Sequence, residues 1–188
     1  MYLTTRASRS SFGRFKERWY AGRLEAEPST PIRIHFTEMP GAFEASVVIV
    51  LACLRKHEQR LREELNCRYI LATPPHSANL DARPTRVDRL CEQVAGEMSY
   101  LQYLPSALVR NASIQAAHFS PGEARPTFAQ QYNSIQYAGP PLPADIALLL
   151  VDDVRTTGRT TKACMARITA RTDLSQDKIV RLFLAVSE

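Results

Sequence analysis

The chain has 188 residues, with 24 basic against 19 acidic side chains, a formal charge of +5 and a pI of about 9.2. That length suits one ordinary domain able to bury roughly 70% of its unfolded surface, and 45% hydrophobic with 23% charged residues excludes the fibrous and disordered classes. The longest apolar run, Val47 to Leu54, falls far short of the roughly 20 residues that span a bilayer, no apolar secretion segment opens the chain, and no Cys-x-x-Cys links Cys53, Cys67, Cys91 and Cys164, so the expectation is a reduced, cytoplasmic protein with no membrane partner.

In chain order, residues 1–23 come first: Arg6, Arg9, Arg14, Lys16, Arg18 and Arg23 face a single acid, Glu17, with Phe12, Phe15, Trp19 and Tyr20 interleaved. Such a segment can hold a single-stranded nucleic acid by its phosphates and stack its bases. It can equally be a basic amphipathic helix packed on its own domain, and both readings stay open. Arginine supplies 20 of the 24 basic residues; its planar fork suits phosphate recognition, although GC-rich codons give the same bias.

Ile32-Arg33-Ile34-His35-Phe36 alternates as a half-buried strand does. Residues 42 to 66 read as one long helix, apolar through Leu54 and charged beyond it. Arg68 to Thr73 is a short strand stopped by Pro74-Pro75. Val87, Leu90, Cys91, Val94, Ala95, Met98 and Leu101 form one buried helix face. The stretch from 105 to 143 holds Pro105, Pro121, Pro126, Pro140, Pro141 and Pro143 and reads as a mobile loop with one short helix or hairpin. Ile146 to Val151 is continuously apolar, as a central parallel strand covered on both faces would be. A helix from about Thr160 to Ala170 and a last strand, Ile179 to Val186, follow. Strands alternating with helices predict an α/β fold with an open, mostly parallel sheet flanked by helices.

One segment carries chemistry: Leu148-Leu149-Leu150-Val151-Asp152-Asp153-Val154-Arg155-Thr156-Thr157-Gly158-Arg159-Thr160. A buried strand ends in two carboxylates, and a loop rich in hydroxyls then opens a helix. Ligands collect outside the carboxyl ends of strands in open α/β sheets, and the unpaired N–H groups of a helix start bind anions. Thr156, Thr157 and Thr160 add hydroxyl donors, and Gly158 lets the backbone approach a phosphate without a Cβ. The carboxylates repel a phosphate, yet accept hydrogen bonds from vicinal hydroxyls beside it. Phosphate plus diol describes a ribose 5-phosphate. A Walker B strand also ends this way, but the chain has no Gly-x-x-x-x-Gly-Lys-Ser/Thr loop. Plain helix capping by the two aspartates is the structural alternative.

The segment resembles the phosphoribosyl pyrophosphate (PRPP) motif of the type I phosphoribosyltransferases. From about Arg68 onward the chain is most similar to the competence protein F family of phosphoribosyltransferase-like proteins. Thr73-Pro74-Pro75-His76 stands at that family's proline-rich turn, Arg83 at its following arginine, and Leu108-Val109-Arg110, Gln115 and Arg125 at its later conserved-pattern positions. Pro84-Thr85-Arg86-Val87 and Phe128 depart from the family pattern.

The resemblance implies a type I phosphoribosyltransferase-like fold, with a basic arm and hood-like region over 1–40 and the α/β core over 41–188. It implies that Asp152 and Asp153 accept the ribose hydroxyls. Arg155, Thr156, Thr157, Gly158, Arg159 and Thr160 would cradle the 5-phosphate, and Thr73, Pro74, Pro75, His76, Ser77, Arg83 and Arg125 the pyrophosphate. Arg110 is the lesser candidate for reaching that leaving group. Mg²⁺ would be held mainly by substrate oxygens, with no direct protein ligand, and a homodimer is common in the superfamily. Two expectations follow: a Mg²⁺-dependent transferase moving phosphoribosyl from PRPP to a nitrogenous acceptor, or a catalytically silent relative that senses a nucleotide or binds single-stranded DNA through residues 1–23. Base selection, on this reading, falls to residues 1–40.

Overall fold

The computed structural model describes residues 2–4, 42–78, 84–114, 125–155 and 157–186. Outside them lie the alternating segment Ile32–Phe36, nearly all of the basic arm, Arg83, Gln115 and Thr156.

Chain order runs β1 (Tyr2–Thr4), α1 (Ala42–Lys56), β2 (Cys67–Ala72), α2 (Arg86–Glu97), β3 (Gln102–Tyr103), β4 (Leu108–Arg110), α3 (Phe128–Ser134), β5 (Ile135–Tyr137), β6 (Ala147–Arg155), α4 (Arg159–Thr169) and β7 (Ile179–Val186). Five strands form one sheet in the order β1-β7-β6-β2-β3, every pair parallel. The open parallel sheet flanked by helices is therefore the fold of this chain.

The unbroken apolar run behaves as its chemistry dictates. Along β6, Ala147, Leu149 and Val151 enter one core with α1 and α2, while Leu148 and Leu150 enter a second core with α4 and the β4–β5 ribbon. Strand side chains alternate, so a strand buried on both faces must be apolar at every position. Leu148, Leu149 and Leu150 are all fully buried, and each stabilises the fold by about 2 kcal/mol relative to an exposed side chain.

Three elements differ from the sequence reading. The helix expected over 42–66 stops at Lys56, and a π-helical turn follows over Arg60–Glu64. Its apolar register ends at Leu54; beyond it Leu61 is the buried anchor of the turn, too little apolar face to continue an amphipathic helix. Tyr2–Thr4 pairs in parallel with β7, so an edge strand stands where only a basic arm was expected. The proline-rich stretch holds both a helix and a ribbon: β4 pairs with β5 antiparallel, and α3 opens on a capping box between Thr127 and Gln130. The described prolines of that stretch, Pro105, Pro126, Pro140, Pro141 and Pro143, flank these elements and interrupt none.

Helix α2 begins at Thr85, whose hydroxyl accepts from the Asp88 amide at 3.1 Å while the Asp88 carboxylate accepts from the Thr85 amide at 2.8 Å. Tyr103 donates to the same carboxylate at 2.9 Å. Pro84-Thr85-Arg86-Val87 thus makes a helix start and ties it to β3.

Candidate functional site

Parity along the strands builds the site. By strand alternation Asp152 follows Leu148 and Leu150 on the α4 face of β6, and Asp153 follows Leu149 and Val151 on the opposite face. On the neighbouring strand Leu71 pairs with Leu150 and Ala72 with Val151, which brings Thr73 opposite Asp152. The Thr73 amide donates to the Val151 carbonyl at 2.9 Å. Its hydroxyl donates to Asp152 Oδ1 at 2.8 Å.

Helix α4 meets the same carboxylate from above. Thr161 Oγ1 donates to Asp152 Oδ2 at 3.3 Å, and the Asp153 amide donates to Oδ1 at 3.1 Å. Asp152 therefore joins the turn after β2 to the first turn of α4. Burial pushes its carboxyl up to about 7, with the Asp153 charge adding to the rise and the threonine bonds opposing it. A carboxyl shifted this way by burial and a like charge, among hydroxyl donors, is a candidate functional group.

The start of α4 is opened by a glycine. Gly158 is the N-cap residue with φ 69°, in the left-handed region that costs other residues about 1–2 kcal/mol. It has no side chain to cap the helix, and the Arg159 amide reaches Thr157 Oγ1 only at 3.4 Å. First-turn N–H groups carry the positive end of the helix dipole. Thr157 and Arg159 are exposed and Thr160 half-buried. Arg159 Nη1 donates to the Pro126 carbonyl at 3.2 Å, which brings the segment carrying Arg125 beside this loop. Arg155 closes β6.

The turn after β2 is the third part. Thr73 and Pro74 are buried, Pro75 and Ser77 half-buried, and His76 exposed. Arg110, read as a lesser candidate for the leaving group, is packed against this turn: it is 6% exposed, and its guanidinium donates to the Pro75 carbonyl, Ser134 Oγ and, at 2.7 Å, Gln131 Oε1. All three nitrogens are engaged by the protein, so the group holds structure instead of facing a ligand.

Sequence reasoning missed Thr161 and the part played by Arg110. Thr161 was legible as a first-turn threonine one residue past the motif, on the face of α4 that turns toward the sheet. Nothing in Leu108-Val109-Arg110 alone distinguishes an inward arginine from an outward one. Cys91 and Cys164 are fully buried, and burial raises both thiols well above the ordinary range, as core positions require. Among the described residues, no three His, Cys, Asp or Glu side chains gather as a metal site, and no helix is long and apolar enough to cross a membrane.

No family model matches the chain, and no curated protein matches it. Among solved structures it is similar to a crystal structure of adenine phosphoribosyltransferase, at 13% identity over 93% of this chain and 90% of that one, with a TM-score of 0.47. It is also similar to adenine phosphoribosyltransferase from Saccharomyces cerevisiae complexed with D-2,5-dideoxy-2,5-imino-altritol 1,6-bisphosphate and adenine, at 16% identity over 79% of this chain and 70% of that one, with a TM-score of 0.42. So distant a likeness decides neither fold nor chemistry; both are read from the strands and loops of this chain.

Proposed function

We propose that this protein binds PRPP and transfers its phosphoribosyl group to a nitrogenous acceptor, releasing pyrophosphate. The observation that carries the reading is Asp152, whose carboxylate draws the Thr73 turn and the start of α4 to one carboxyl edge of the sheet. The resemblance of Val151 to Thr160 to the PRPP motif supports the same reading.

In this reading the 5-phosphate takes the N–H groups and hydroxyls of Thr156 to Thr160, with Arg155 and Arg159 adding charge. Asp153, with Asp152 beside it, accepts the ribose hydroxyls. The turn from Thr73 to Ser77 lines the pyrophosphate, with Arg83 and Arg125 as its cations. Displacement at C1 breaks the bond to the pyrophosphate oxygen and forms one to nitrogen through an oxocarbenium-like state, for which positioning and charge stabilisation suffice. Carboxylate and hydroxyl oxygens are the hard donors Mg²⁺ takes, and with Asp152 already engaged by two threonines they fit an ion held mainly by substrate. That ion, when bound, neutralises charge on the leaving group.

The test is pyrophosphate release from Mg²⁺-PRPP against a panel of purine, pyrimidine and simple amine acceptors. Acceptor-dependent release that Asp153→Asn abolishes in a folded protein is the expected result. Binding of PRPP with no release on any acceptor would leave a sensor, not an enzyme.

A second reading, single-strand binding by the arm, is favoured by its six cations against one acid with four interleaved aromatics. Deleting the arm would also remove edge strand β1, so its cations are better replaced by glutamine. Salt-sensitive binding of oligonucleotide, lost in that variant, is the expectation of this reading; equal binding by both proteins would sink it.

A further inference from the structure

Pro74 and Pro75 pose a physical problem for the turn they occupy. Neither has an N–H, so the turn offers carbonyl acceptors and few donors, and donors from elsewhere must hold it. Two such donors, and an acceptor for the Ala78 amide, come from one short segment. Arg110 Nε donates to the Pro75 carbonyl, the Ile114 amide to the His76 carbonyl at 2.9 Å, and Ser113 Oγ accepts from the Ala78 amide at 2.9 Å. Residues 110–114 thus run beside the turn as a splint, and Asp152 holds its first residue, Thr73, from the sheet side.

Arg110 is the centre of that splint. It shares the buried face of β4 with Leu108, a place where an uncompensated cation would be strongly disfavoured. Its fork is filled by one carbonyl, one hydroxyl and one amide oxygen, the last two from α3. The charged and titratable groups that act on it from neighbouring elements are Asp152 on β6 and Cys164 on α4. A planar fork reaching three separated acceptors is a task that lysine cannot perform.

We propose that Arg110 is a positioning residue: through the Pro75 carbonyl it couples helix α3 and the β4–β5 ribbon to the Thr73–Ser77 turn and fixes the shape of that turn. This rests on the reading of the turn as the pyrophosphate subsite, and it replaces direct contact of Arg110 with the leaving group. Loss of the fork loosens the turn while the 5-phosphate loop, on the far side of Asp152, keeps its shape.

The experiment uses the full chain and Arg110→Lys, which keeps the charge and loses the fork. Amide hydrogen exchange at Ala78 and Ile114 reads the splint without any ligand, and calorimetry with Mg²⁺-pyrophosphate and with ribose 5-phosphate reads the two subsites. Expected are exchange at those amides and pyrophosphate Kd each raised roughly ten-fold, with exchange in α4 and ribose 5-phosphate affinity unchanged. Gln131→Leu, which frees one arm of the fork, gives a smaller change in the same direction and serves if the lysine variant does not fold. Unaltered exchange at Ala78 and Ile114 in the folded variants overturns the proposal. Faster exchange in a protein whose wild type takes neither ligand supports the splint and overturns the pyrophosphate reading instead.

Discussion

Replacing Asp152 by asparagine removes a half-buried ionisable group while keeping the shape of the side chain. In the folded protein burial, then the Asp153 charge, raises this carboxyl from its ordinary 3.8 to about 7. The unfolded chain gives up the proton near the lower value and the folded protein near the higher one. Between them unfolding releases a proton, so this group's contribution to stability falls as pH rises from about 4 to about 7 and is level outside that window. At 1.36 kcal/mol per pH unit the full loss is at most about 4 kcal/mol. Solvent at the rim of this half-buried group and its coupling to Asp153 reduce that to roughly 2 kcal/mol. Asparagine can still accept from Thr73 and carries no charge at any pH. Asp152→Asn should therefore match wild type near pH 4.5 and exceed it near pH 8 by roughly 2 kcal/mol, a rise in Tm of about 4–8 °C at this chain length. Urea unfolding followed by circular dichroism at the two pH values supplies the comparison, and other titrating groups cancel in the difference. An asparagine variant less stable than wild type by the same margin at both pH values would refute the reasoning.

Gly158→Ala forces a Cβ into the left-handed conformation at φ 69°, a strain of about 1–2 kcal/mol, and should weaken ribose 5-phosphate binding in calorimetry more than pyrophosphate binding. Leu149→Ala empties a fully buried position on the central strand; chemical denaturation should show a loss of about 2–5 kcal/mol. Thr85→Ala removes the N-cap of α2 and should lower stability by about 1 kcal/mol in chemical denaturation.

The central strands and their helices were legible because a strand covered on both faces must be apolar throughout, and Ile146 to Val151 is. The acid pair at the end of β6 and the glycine that opens α4 were legible as a motif, since Asp152-Asp153 closes an apolar run and Thr156-Thr157-Gly158 separates it from the next helix. Side-chain partnerships were not. That Asp152 binds Thr73 follows from strand register, which pairs residues 79 positions apart and leaves no local trace. Arg110 was hidden likewise, since its partners Pro75, Gln131 and Ser134 lie on two other elements. The ribbon and helix inside the proline-rich stretch were masked by composition, although Thr127-Phe128-Ala129-Gln130 carries the capping-box pattern that begins α3.

The most direct test is calorimetric titration of the purified protein with PRPP, with and without Mg²⁺, against the Asp152→Asn/Asp153→Asn double variant. Saturable Mg²⁺-dependent binding that disappears in the folded double variant is the predicted result. A folded wild-type protein that takes up no PRPP in either condition would contradict the account.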